Sequence, residues 1–172
     1  DGFSSRDDIN NLWFSADIEH HQPLSKRWIL SNRMKTKLYL MDNEIPYFQY
    51  TGLGYGNDVI SGYQLQVMDG KNFFISKNSL KFNFYNFDYR PKFKMPKQYK
   101  IMNIKLFGGF NGHIGYVNDP IYGDSNPLNN DYEYGYGPRL DLILFNNFTI
   151  SCEYSWIRNG QHGFFVDSGI NF

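Results

Sequence analysis

Glu19, His20 and His21 stand side by side in the stretch EHH, and a carboxylate with two imidazoles is a set of metal-ligand types. Their spacing works against a shared ion. On a strand, successive side chains point to opposite faces, so three consecutive residues cannot converge. The glycine-dense GLGYG (Gly52 to Gly56) lacks the following helix that would make it a dinucleotide loop. No Gly-x-Ser-x-Gly elbow and no phosphate loop occurs. Cys152 is the only cysteine of the chain, which excludes an internal disulfide framework and a multi-cysteine metal site. Its place on an apolar face makes it a small hydrophobe and not a reactive thiol. No catalytic residue, cofactor site or metal site is therefore expected, and the chain is not expected to be an enzyme.

Composition narrows the classes further. The chain has 172 residues, enough for one domain, and a formal net charge of zero. A basic footprint for nucleic acid is lacking, so no nucleic-acid partner is expected. Aromatic residues make up 19% of the chain, with 16 Phe and 14 Tyr, while mean hydropathy is only −0.54. That mean, and the lack of any run of ~18 apolar residues, argue against membrane-spanning helices. The start DGFSSRDD reads as the interior of a longer polypeptide, with Asp7 and Asp8 solvated; a fragment or processed piece is expected.

Apolar residues recur with period two, the pattern of strands with two unlike faces. Seven runs are expected: residues 11–21, 27–41, 71–85, 99–117, 138–144, 148–157 and 164–172. In the first, Leu12, Phe14, Ala16 and Ile18 oppose Ser15, Asp17 and Glu19. In the second, Trp28, Leu30, Met34, Leu38 and Leu40 oppose Ser31, Arg33, Lys35, Lys37 and Tyr39. A turn at Pro23 to Lys26 would set Asp17 opposite Arg33 and Leu12 opposite Leu38. In the fourth, Met102, Ile104, Leu106, Phe110 and Ile114 oppose Asn103, Lys105, Asn111 and His113. A tight FNN turn would set Arg139 opposite Glu153. The connection at residues 86–98 carries a basic run, RPKFKMPK, which is either a solvated link or a contact for anionic headgroups or a periplasmic partner.

Two architectures fit these strands. One is a soluble β-sandwich with one wet face. The other is a transmembrane barrel with its apolar face toward lipid and its polar face toward a lumen. Charges crowd one face and nearly avoid the other. Trp28, Tyr116, Trp156 and Phe172 fall near strand ends, where aromatic girdles sit. Both favour the barrel. An open set of seven strands would leave unpaired edges, so further strands are expected to complete it.

Several motifs resemble the C-terminal half of the barrel of the BamA/TamA-type outer-membrane assembly family, which includes the two-partner secretion transporters. DVISGYQLQVMDGKNFFISKNSLKF (Asp58 to Phe82) is similar to forms of this family from Bacteroidetes-type bacteria; YGPRLDL is similar to a later family strand, and FVDSGINF to its C-terminal strand signal. The resemblance spans nearly the whole chain. It implies an all-β, antiparallel transmembrane barrel fragment, about seven strands of sixteen, with residues 42–70 as a long extracellular loop folded into the lumen. The loop tip would be Ile60, Ser61, Gly62 and Tyr63, its lumen partners His113 and Gly115, and the C-terminal signal Gly169, Ile170 and Phe172. Where the family pairs a tip arginine with an inward aspartate, this chain has Ser61 and His113. Losing both charges together avoids a lone buried one, and a neutral hydrogen bond between the two is expected. Gly52, Gly54, Gly56 and Gly62 are expected to permit positive φ in the loop.

The resemblance implies an outer-membrane protein of a Gram-negative bacterium, acting in assembly, insertion or translocation of outer-membrane proteins. Its partners would be the lipid bilayer, nascent outer-membrane proteins, and other outer-membrane or periplasmic subunits. Two alternatives stand beside it. One is a barrel that anchors or exports a phospholipase or phosphoesterase domain; the other is a structural barrel subunit of a larger complex.

Overall fold

A computed structural model describes residues 11–41, 45–89, 102–121, 123, 126–145 and 147–170. The chain forms one antiparallel sheet of seven strands in sequence order: β1 (Trp13–Pro23), β2 (Trp28–Tyr39), β3 (Asn72–Tyr89), β4 (Met102–Asn118), β5 (Tyr132–Leu144), β6 (Phe148–Ile157) and β7 (His162–Ile170). The sheet is open, with β1 and β7 as its edges. No α-helix occurs among the described residues; one 3-10 turn lies at Tyr47–Gln49. The run RPKFKMPK, Asp7, Asp8 and Phe172 lie outside the described residues.

Registers pair even with even and odd with odd across most of the sheet, so side-chain parity carries from strand to strand. The even face is apolar and bare: Ile18, Phe164 and Val166 are 66%, 64% and 63% exposed. The odd face is polar and covered: Asp141 is 2% exposed and Glu153 is 6%. Residues 45–70 lie across this polar face and bury Leu53, Ile60, Tyr63 and Met68 against Phe73, Ile75, Val117 and Ile157. The compact core is thus loop against sheet, on the face richest in charge. Among the described residues no second sheet covers Leu106, Ile150 or Val166, which are half-buried or exposed.

Four elements differ from expectation. The β1–β2 register is displaced by two, so Asp17 faces Lys35 and Phe14 faces Leu38. Pro23 stays in the strand, opposite Ile29, which moves the reversal to Leu24–Arg27. There the Ser25 hydroxyl accepts from the Arg27 and Trp28 amides, at 3.3 and 3.2 Å. A shift of two preserves faces, and Arg33 still reaches Asp17 diagonally, at 3.0 and 2.7 Å.

Strand β3 runs on to Tyr89, because a bulge between Asn83 and Tyr85 flips parity. Tyr85, Phe87 and Tyr89 then join the apolar face, while Asn86 and Asp88 bond Asn103 on the other. Strand β5 begins at Tyr132, six residues before Pro138. Tyr132, Tyr134 and Tyr136 point outward, with Glu133, Gly135 and Gly137 inward, so the glycines hide a regular alternation. The β5–β6 ladder skips Gly137 and Pro138, where proline has no N–H to give. Finally, φ is positive at Gly54, Gly56 and Gly62 but not at Gly52. Gly52 is required for space, since a Cβ there would strike the Met68 carbonyl.

Candidate functional site

The site is the interface between residues 45–70 and the polar face of the sheet. Its β4–β6 side is built on absent side chains. A Cβ at Gly115 would lie 2.6 Å from both the Ile60 and Leu53 methyls, and one at Gly135 would collide with the Ser61 carbonyl. These two glycines, in adjacent strands, form the floor on which Ile60 and Ser61 rest. Gly62 turns the chain at φ +87° and packs on Ile157.

The structure brings Ser61 and His113 together. The Ser61 amide donates to His113 Nδ1 at 3.2 Å, and its hydroxyl lies 3.0 Å from the same nitrogen. A nitrogen that accepts from a backbone N–H carries no proton, so the ring is the neutral tautomer with hydrogen on Nε2. Both residues are buried. The Tyr63 hydroxyl donates to the buried Glu133, which Arg158 also reaches at 3.3 Å. Burial, and then the Glu133 carboxylate, push the Tyr63 hydroxyl above the ordinary tyrosine range. Arg158 in turn lies 2.5 Å from the exposed Asp131, whose carboxyl it holds below the ordinary range.

The β2–β3 side uses charge. Asp58 is gripped by Arg33 at 3.0 Å and Lys35 at 2.5 Å. The Asn57 carbonyl accepts from Arg33 at 3.2 Å and Lys77 at 2.9 Å. Lys37 donates to the Gln49 carbonyl at 2.9 Å. Beyond the loop, Asp141 holds Lys81 at 2.7 Å and Arg139 at 2.5 Å, while Arg139 reaches its cross-strand neighbour Glu153 at 3.6 Å.

Sequence reasoning missed Asp58 and Glu133, although parity already turned Arg33, Lys35 and Lys37 inward. A loop acid facing that row had a partner waiting, and this was the usable signal. Of the other expected residues, Gly169 pairs with Thr149 and Ile170 with Phe148 at the sheet edge. Glu19 and His21 share a face and pair at 3.1 Å, with His21 also on Ser31. His20 has the opposite parity, and among the described residues no group of three His, Cys, Asp or Glu side chains could hold a metal ion.

The arrangement holds residues 45–70 on the sheet by two chemistries, apolar packing over glycines and ion pairs, and leaves open polar cavities beside them. Comparison with known proteins finds no match among family models, curated proteins or solved structures.

Proposed function

We propose that this chain is part of a transmembrane β-barrel of a Gram-negative outer membrane, about seven strands of sixteen, acting in assembly or translocation of outer-membrane proteins. The observation that carries the membrane reading is inverted burial. Phe14, Ile18, Met34, Leu38, Phe110, Leu140, Phe164 and Val166 are exposed, while Asp141, Glu153, Glu133 and His113 are buried. Burying a large apolar side chain contributes ~1.5–3 kcal/mol. Eight left in water forgo on the order of 10 kcal/mol, comparable to a whole domain's stability. Hydrocarbon on that face removes the conflict, and a lumen on the other suits its ions. Strand lengths agree: β1 to β7 run 9 to 18 residues, against the ~9–11 a tilted spanning strand needs. Further strands between β1 and β7 close the barrel.

The test uses full-length protein in lipid vesicles, with Cys152→Ser and single cysteines placed at 164 to 167. A lipid-phase quencher should reach labels at 164 and 166, and a water-soluble one those at 165 and 167. Labels at 164 and 166 reached from water, or shielded from both reagents, overturn the reading.

The assembly role rests on the segment docked at Ile60 to Tyr63 together with the edge of β7, which, where its seam with the closing strand opens, can template an incoming strand by β-augmentation. A photo-crosslinker at Ser168 should capture nascent outer-membrane proteins in growing cells. A correctly inserted barrel that captures none would favour a purely structural subunit.

A further inference from the structure

Four cations form a line along the β2–β3 side of the loop. Arg33, Lys35 and Lys37 alternate along β2, and Lys77 lies directly opposite Arg33 in the β2–β3 register. Like charges placed opposite each other repel, so the line needs anionic or carbonyl partners. Every one of the four donates to the loop: Lys37 to the Gln49 carbonyl, Lys35 to Asp58, Arg33 to Asp58 and the Asn57 carbonyl, and Lys77 to the Asn57 carbonyl. The occupant is therefore a stretch of polypeptide, recognised through backbone carbonyls and one carboxylate.

That occupant leaves the line under-neutralised. Only Asp17 and Asp58 pair with it, and neither Lys37 nor Lys77 has a carboxylate partner among the described residues. It also leaves the line reachable. A cavity of about 540 Å³ separates the loop edge from β1 and β2, bounded by Trp13, Ser15, Lys35, Lys37, Tyr39 and Asp58. A second, of about 520 Å³, opens on Arg33, Lys77 and Asn57 from the other side.

We propose that Arg33, Lys35, Lys37 and Lys77 form a binding site for an acidic, extended polypeptide segment, at present part-filled by residues 49–58 of the loop. Four residues of strand span ~13 Å from Arg33 to Lys37. A segment with acids on alternate residues matches that line and supplies the carboxylates that the loop does not. Trp13 and Tyr39 give its other side chains an aromatic wall. The ion pairs on Asp58 compete with such a segment, so the loop sets the threshold for entry. The site is formed whether or not lipid covers the opposite face, and the inference goes beyond the membrane and assembly readings.

The experiment measures fluorescence anisotropy of a labelled Glu-Thr-Glu-Thr-Glu peptide with full-length protein in neutral detergent, with Gln-Thr-Gln-Thr-Gln as the control. The acidic peptide alone should bind, more weakly as salt rises. Asp58→Asn should tighten binding several-fold by releasing Arg33 and Lys35. Lys37→Gln with Lys77→Gln should weaken it by about tenfold, the equivalent of one charge-assisted hydrogen bond. An unchanged near-ultraviolet spectrum establishes that each variant keeps the fold. The proposal is overturned if both peptides bind alike, if Asp58→Asn leaves affinity unchanged, or if the double variant binds like the parent. Binding to anionic-lipid vesicles without binding of the peptide also overturns it.

Discussion

The two sides of the docked loop are fastened by different physics. Toward Phe73 and Ile75 of β3 and on across β4–β6, Leu53, Ile60, Tyr63 and Met68 are essentially inaccessible, and glycines of β4 and β5 let the backbone settle onto the sheet. Toward β2–β3, cations reach across a cavity to carbonyls and one carboxylate. The first is a packed contact with little tolerance for volume or charge. The second is adjustable, since long lysine and arginine side chains can follow a moving acceptor. One loop can therefore be held in place at one edge while remaining exchangeable at the other.

The sharpest way to break this comparison is a charge on the packed side. Ser61→Arg would bury a cation against Gly135, near Lys77 and Arg139. It should cost ~3–5 kcal/mol, as an uncompensated buried charge does. His113→Asp in the same chain should recover much of that, read as the thermal midpoint in detergent. Equal stability of the single and double variants would mean that position 61 is not closed.

Tyr63→Phe tests the same side more gently. It removes one bond to the Glu133 carboxylate and should cost ~2 kcal/mol, within the range for hydrogen bonds to charged groups. The sign of its pH dependence follows from the raised hydroxyl. A group whose folded pKa lies above its unfolded value stabilises fully below the unfolded value, ~10 for tyrosine. The difference between parent and variant should hold from pH 7 to 9 and shrink as pH climbs through the folded value. A difference that already shrinks near neutrality would sink this account.

Asp58→Asn probes the adjustable side. Its cost should be ~1 kcal/mol or less, because Arg33 and Lys35 remain partly solvated and regain water. Added salt should reduce the difference, whereas it should leave the Tyr63→Phe difference largely intact. Equal salt responses would erase the distinction between the two sides.

What the sequence disclosed follows the same division. Strand parity is local and depends on the apolar period alone, so β6 was legible end to end, as was the Arg139–Glu153 pairing. Register at β1–β2 depended on Ser25 closing the turn one residue beyond the centre that Pro23 suggested. The β3 bulge is invisible to a strict period of two, because it inserts the residue that breaks the period. The glycines of β5 look like loop punctuation until Ser61 and Ile60 are placed over their neighbours. The meeting of Ser61 with His113 was an expectation from the resemblance, to which parity added only that His113 faces inward. The inward row of Arg33, Lys35 and Lys37 called for a loop acid, but that the acid is Asp58 depends on how far Gly54 and Gly56 turn the loop back.

The smallest effect is expected where the packed side reaches solvent. Arg158 bridges Asp131, which is exposed, and Glu133, which is buried and holds Tyr63. Asp131→Asn removes only the outer partner, so Arg158 should stay on Glu133 and the Tyr63 bond should survive. Arg158 depresses the Asp131 carboxyl, chiefly through their hydrogen bond. A depressed folded pKa means a contribution present above the unfolded value, ~3.9 for aspartate, and lost as pH falls through the folded one. The variant should therefore differ slightly from the parent at pH 7 and converge with it in strong acid. In a double-variant cycle, Asp131→Asn and Tyr63→Phe should act additively if Arg158 keeps its grip on Glu133. Strong coupling would show instead that the exposed pair positions the buried one, and that the packed side extends to the surface of the molecule.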